Sequence, residues 1–183
     1  MAGDPKDARK RIEFFVSYAH RNQQLADGFV DELMQVLRPS KAYQYHIWMD
    51  KGIIVGDQWK RQILNARDRC SFGLLLVSPS FLGSDFICRE ELPHFVGECR
   101  TPSIPVMLSK VDFQLHDLKG LDEFQIFRYK GHRYSEPRSY AECKGGNPRR
   151  DFVFALFQAI EAKLSLLDAH QHSPRTTKPC SIE

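Results

Sequence analysis

Apolar residues come along the chain in two alternating rhythms: short continuous runs, and longer stretches in which they recur every three or four positions. Ile12 to Ser17 (IEFFVS) is the first run and predicts a strand. Leu25, Phe29, Leu33 and Val36/Leu37 then share one face of a helix, with acids between them on the other. His46 to Met49 (HIWM) predicts a second strand. Asp50 to Asp57 (DKGIIVGD) carries two glycines and predicts a loop, and Asp57 is placed to cap a helix bearing Trp59, Ile63 and Leu64. Phe72 to Val77 (FGLLLV), the most apolar run, predicts the central buried strand. Ser84 or Asp85 caps a helix containing Ile87, Cys88, Glu91, Leu92, Phe95 and Val96. Ile104 to Leu108 (IPVML) predicts a fourth strand, with Pro105 pointing to a place at the sheet edge.

From Asp112 to Arg150 the pattern weakens. Ile126 and Phe127 mark a short fifth strand, and Ser135 to Arg150 reads as a polar loop. Asp151 then caps an amphipathic helix with Phe152, Leu156, Phe157, Ile160, Leu164 and Leu167 on one stripe. Strands alternating with helices build a parallel sheet covered on both faces. The expected fold is a flavodoxin-like α/β three-layer sandwich of about five parallel strands with helices on both faces. Residues 1–10 read as a basic arm, 11–168 as the domain, and 169–183, polar and carrying Pro174 and Pro179, as a tail or linker stub.

Composition narrows the function classes. A net charge of +3 over 183 residues is too small for a nucleic-acid face, and the cluster Lys6, Arg9, Lys10 and Arg11 reads as a solvated arm. No stretch approaches the roughly 20 apolar residues needed to cross a bilayer, and no apolar signal core follows the polar first ten residues. The five cysteines (Cys70, Cys88, Cys99, Cys143, Cys180) are odd in number and contain no CxxC pair, which argues against a disulfide framework or a zinc site. A cytoplasmic location is expected, with neither membrane nor nucleic acid as partner.

In open α/β sheets, ligands bind beyond the carboxyl ends of the strands, so candidate residues should follow Ser17, Met49, Val77 and Leu108. Neither GxGxxG nor GxxxxGK[ST] is present, no HExxH suggests a metal, and His170 and His172 lie in the tail. The acids a phosphate-accepting regulator needs are missing: Ser17-Tyr18-Ala19-His20 follows the first strand and Ser78-Pro79-Ser80 the third. What remains is one carboxylate. On a helix Glu91 shares a face with Ile87 and Phe95, while Glu90 is turned about 100° toward water. An acid held against apolar surface is either functional or paired with a cation such as Arg61, Arg67 or Arg69, and the pattern leaves both open. Tyr18 and Trp48 suit ring stacking or packing, and Trp59 suits core. Ser84 suits a cap or a pocket wall. Gly52 and Gly56 suit backbone angles closed to other residues.

Three blocks carry a resemblance. FFVSYAH (Phe14 to His20), WMDKGIIVGDQW (Trp48 to Trp59) and SPSFLGSDFICREEL (Ser78 to Leu92) resemble, in order, signatures of the Toll/interleukin-1 receptor (TIR) domain family. They look like its first-strand box, its D-x-G-x-x-x-G-D loop with flanking elements, and its S-x-x-[FY]-x-x-S-x-W-C-x-x-E-L box. With strand order included, the resemblance covers about Arg11 to Leu167. It is to the prokaryotic, NAD-cleaving type, in which the Glu three residues after that Cys is catalytic, and the matching position here is Glu91. The departure is Ile87, where many members carry Trp.

The resemblance implies an enzyme that cleaves the nicotinamide–ribose bond, with NAD as substrate and no cofactor or metal. Nicotinamide leaves as a neutral ring, so no general acid is needed, and an anion beside the ribose stabilises the oxocarbenium-like transition state. Substrate contacts are expected from Ser17, Tyr18, His20, Trp48, Ser84 and Cys88, and loop or oligomer contacts from Asp50, Gly52, Gly56 and Asp57. Water attack would give ADP-ribose and an internal nucleophile a cyclised product. Implied too are self-association through TIR–TIR contacts, a sensor or effector partner and a role in immune defence, such as against phage. The alternative is a non-enzymatic adaptor or effector acting by TIR–TIR interaction.

Overall fold

The computed structural model describes residues 9–50, 58–97, 100–132 and 134–172, and for residues 58, 59, 171 and 172 the backbone alone. Four strands form one parallel sheet in the order β2-β1-β3-β4: β1 (Lys10–Ser17), β2 (Tyr43–Met49), β3 (Phe72–Val77) and β4 (Ser103–Met107). The long helices are α1 (Gln23–Leu37), α2 (Gln58–Arg69) and α5 (Gly146–His172). Between β3 and β4 lie two one-turn helices, α3 (Pro79–Leu82) and α4 (Pro93–Val96), joined through a π-helical turn at Ile87–Glu91.

Strand alternation divides the core into two layers. Phe14 and Val16 face one way and pack with Phe29 and Leu33 of α1 and Phe152, Leu156, Ile160 and Leu164 of α5. Phe15 faces the other way and packs with Ile63 of α2, Phe81, Ile87 and Phe95. Ser17 has the same parity as Phe15 and so points to the layer that contains Glu91. All six residues of β3 are buried, as expected of an interior strand covered on both faces. β4, carrying Pro105, lies at the edge of the ladder.

Four expectations are corrected. The sheet has four strands rather than about five. Phe127 makes only an isolated parallel bridge to Val106, because two residues on Tyr129 turns to pair antiparallel with Arg138 and the ladder cannot propagate. The last helix begins at Gly146, not after a cap at Asp151, since Pro148 falls in its first turn, where a missing N–H costs nothing. That helix also runs to His172, past the boundary placed at residue 168. The helix expected from Ser84 or Asp85 is not one regular helix. Pro93 has no N–H for the carbonyl of Arg89, and the turn before it widens so that Leu92 N–H donates to Ile87 O at 2.8 Å.

Gly73 sets how closely this irregular segment approaches the sheet. A Cβ at Gly73 would stand 2.4 Å from Cε1 of the fully buried Phe95 ring, which is itself stacked on Phe15 with centroids 6.0 Å apart. Gly73→Ala is therefore expected to destabilise the domain by about 1–3 kcal/mol, the usual range for overpacking a core. Chemical denaturation measures it, and adding Phe95→Leu should return part of the loss.

Candidate functional site

At the carboxyl ends of β1, β2 and β3 lies a cleft of about 1010 Å³, at the upper end of the range for small-molecule sites. Its apolar wall is made by Phe15, Trp48, Ile63, Phe86 and Ile87. Phe15 and Trp48 sit opposite one another in the β1–β2 register and stack with centroids 5.3 Å apart and planes 9° apart. The polar side is supplied by Tyr18, His20, Arg21, Asp50, Ser80 and Ser84.

Glu91 also lines the cleft, and its environment is the chemically distinctive one. The residue is only 6% exposed, and its Oε2 accepts a hydrogen bond from the hydroxyl of Ser17, itself buried. Burial pushes the carboxyl up to about 7, with Asp50 adding to the rise, while the Ser17 hydrogen bond and the charge of Arg67 pull it down. Among the described residues no Lys or Arg makes an ion pair with it. The expected alternative of an ion-paired acid is thus not what the geometry gives, although Arg67 acts on it electrostatically. Glu90 instead reaches outward to Lys60, with Nζ at 2.6 Å.

The π turn is what separates these two acids. Counted from Ser84, the family box quoted above has one residue fewer before its acidic position, which in a regular helix would bring Glu90 to that place. The wide turn at Ile87–Glu91 takes up the extra residue, so Glu91 faces the cleft and Glu90 faces water.

Asp50 closes the far side. Tyr18 donates its hydroxyl proton to the Asp50 carbonyl, and His20 Nε2 lies 3.1 Å from Asp50 Oδ2. The Tyr18 and His20 rings stack, with centroids 5.7 Å apart and planes 8° apart. Burial, with Asp50 next in size, pushes the Tyr18 hydroxyl up to about 12, so it stays a donor throughout the physiological range.

Most of the sequence-derived candidates converge here. Tyr18, His20, Trp48, Asp50, Ser84 and Glu91 line the cleft, and Ser17 meets it through Glu91. Asp50, expected at a loop or oligomer contact, also lines the cleft. Cys88 is not brought to it: the thiol turns to the Leu82 carbonyl at 3.4 Å, and burial raises it. Gly52, Gly56 and Asp57 lie outside the described residues. Sequence reasoning missed Phe15, Arg21, Ile63, Ser80 and Phe86. Arg21 and Ser80 follow strands β1 and β3 and were accessible to the strand-end rule. Beside Ile87, where the sequence departs from the family's Trp, Phe86 places an aromatic ring on the cleft wall. Among the described residues no cluster of ligating side chains could hold a metal, and no helix is long and apolar enough to cross a membrane.

A family model of the TIR domain matches residues 14–141, most of the chain and all four strands apart from the first residues of β1. The chain belongs to the TIR-domain family. No curated protein matches it in direct comparison. The TIR match spans every described residue of the cleft.

Ionising Glu91 inside the TIR fold has a cost that pH exposes. Its carboxyl titrates near 7 when folded and near 4.5 when unfolded, so the native state holds the proton more tightly. Stability contributed at low pH is then lost as pH rises from about 4.5 through about 7, by at most on the order of 3 kcal/mol. Glu91→Gln keeps an acceptor for Ser17 and removes the charge. It is expected to be more stable than the native chain by about 1–3 kcal/mol at pH 8, with the gap nearly closed at pH 5. Thermal or urea unfolding at the two pH values decides; an equal gap at both would contradict the assignment.

Proposed function

We propose that this TIR domain is an NAD nucleosidase or ADP-ribosyl cyclase of the prokaryotic type, with Glu91 as the catalytic carboxylate. The observation that carries the reading is one buried acid beside a large apolar-walled cleft, held by Ser17 and half ionised near neutral pH. Perturbed carboxylates in clefts are the groups that do chemistry more often than structural acids do.

The chemistry follows from the leaving group. Nicotinamide departs from a cationic nitrogen as a neutral ring, so the enzyme need supply no proton. It must stabilise positive charge growing on the ribose. An ionised Glu91 does that by electrostatics and by accepting hydrogen bonds from the ribose hydroxyls. The Phe15–Trp48 stack, with Phe86 and Ile87, offers a wall for a flat ring. His20 and Arg21 bring nitrogen donors to the lip, where a pyrophosphate would lie. Water or an internal nucleophile then takes the ribosyl carbon, giving ADP-ribose or a cyclised product. Self-association through TIR–TIR contacts, a separate sensor or effector, cytoplasmic action and a place in immune defence belong to the same proposal.

Nicotinamide release from NAD by the purified chain tests it, with and without a crowding agent to promote assembly. Glu91→Ala and Glu91→Gln are expected to lower the rate at least about 100-fold with the fold retained. Release by the native chain should climb with pH and level off above about 7 as Glu91 ionises. No release under any of these conditions would leave recruitment of other TIR domains as the function, and full activity in Glu91→Ala would take the chemistry away from Glu91.

A further inference from the structure

The turn that carries Glu91 has a cleft in front of it and α2 behind it. Arg67, in the last turn of α2, keeps its side chain 17% exposed. One guanidinium nitrogen, Nη1, donates to the backbone carbonyl of Glu90, the residue adjoining Glu91. The other two, Nε and Nη2, donate to Asp68 Oδ1 at 2.8 and 2.5 Å. A side chain that donates to a carbonyl within such a widened turn ties the main chain there to the helix behind it. Arg67 thus braces the main chain at the point where one extra residue decides which acid faces the cleft.

We propose that Arg67 is a positioning residue for Glu91, clamping the π turn through the Glu90 carbonyl. The proposal rests on the reading of Glu91 as the catalytic group, and it adds what keeps that group usable in a site that disfavours charge. The groups facing Glu91 are Ser17 and Tyr18 at the end of β1, Asp50 after β2 and Arg67 on α2. Lys60 is engaged by Glu90 at 2.6 Å, and His94 on α4 stands 3.9 Å from Asp68. Asp50 opposes ionisation of Glu91 and Arg67 favours it, so Arg67 is the cationic counterweight among these groups. A lysine would keep the charge but not the fork that holds Glu90 and Asp68 together.

Two readouts test the proposal, applied to the native chain, Arg67→Gln, Arg67→Lys and the surface variant Asp68→Asn. The first is the titration of Glu91, followed by NMR with carboxyl-labelled glutamate, its signal identified by its loss in Glu91→Gln. The second is the pH profile of nicotinamide release. In Arg67→Gln the midpoint should rise by about one pH unit, so that release falls about tenfold at pH 6 and much less at pH 8.5. Arg67→Lys should titrate near the native midpoint yet turn over more slowly, because its turn is loose. Asp68→Asn frees the charge of Arg67 and should move the midpoint down by a few tenths of a unit.

An unchanged midpoint in both Arg67→Gln and Asp68→Asn overturns the proposal. Should Arg67→Gln fail to fold, an unchanged midpoint in Asp68→Asn together with native turnover in Arg67→Lys overturns it, since Asp68 is largely exposed. If midpoints shift as expected but no chain releases nicotinamide, the coupling of Arg67 to Glu91 stands and the catalytic reading of Glu91 fails. The two ideas are therefore separable.

Discussion

A carboxylate is stable as an ion where water or fixed donors surround it, and the cleft of this domain withholds most of both from Glu91. Burial disfavours the charge, one serine hydroxyl partly replaces the lost solvent, and a nearby guanidinium offsets part of the remainder. The balance leaves the acid near its midpoint at neutral pH, where a small change in surroundings alters its charge. The rest of the site exists in relation to that balance. The stacked rings of Phe15 and Trp48 keep one wall dry, and Asp50, held by Tyr18 and His20, adds the opposing negative charge.

The fold makes this arrangement by ordinary means. Parallel strands end together, so the residues after β1, β2 and β3 meet at one edge without any long-range search. Alternation along β1 sends Phe15 and Ser17 to the same face, so one strand supplies both a wall of the cleft and the donor to its acid. Gly73 lets Phe95 lie against the sheet.

Much of this is legible in the sequence where the physics is local. Phe72 to Val77 has no polar residue and can only be an interior strand, and its bounds follow directly. Tyr18 and His20 follow β1, where the strand-end rule looks, and they line the cleft together with Trp48 and Ser84. Legibility ends where one element depends on another. Ile126 and Phe127 look like a strand, but whether a ladder forms depends on Tyr129 choosing Arg138. Ile63 reaches the cleft only because α2 packs at a particular height, which no periodicity encodes. The spacing of Glu91 with Ile87 and Phe95 has the acid facing inward, where it is buried, but treats Cys88 as its neighbour in the site. The wide turn breaks that spacing and sends the thiol to Leu82 instead.

The wide turn also changes what the two adjacent acids mean. Were it to tighten to the regular 3.6 residues, everything after it would rotate by roughly 100° relative to Ser84. Glu90 would then occupy the direction Glu91 has now. Tandem acids at this point make the presence of a carboxylate in the cleft indifferent to how the segment is wound, while the identity of the acid stays tied to it. A chain that gained or lost one residue between Ser84 and Cys88 could therefore pass through either register without an interval in which its cleft had no anion.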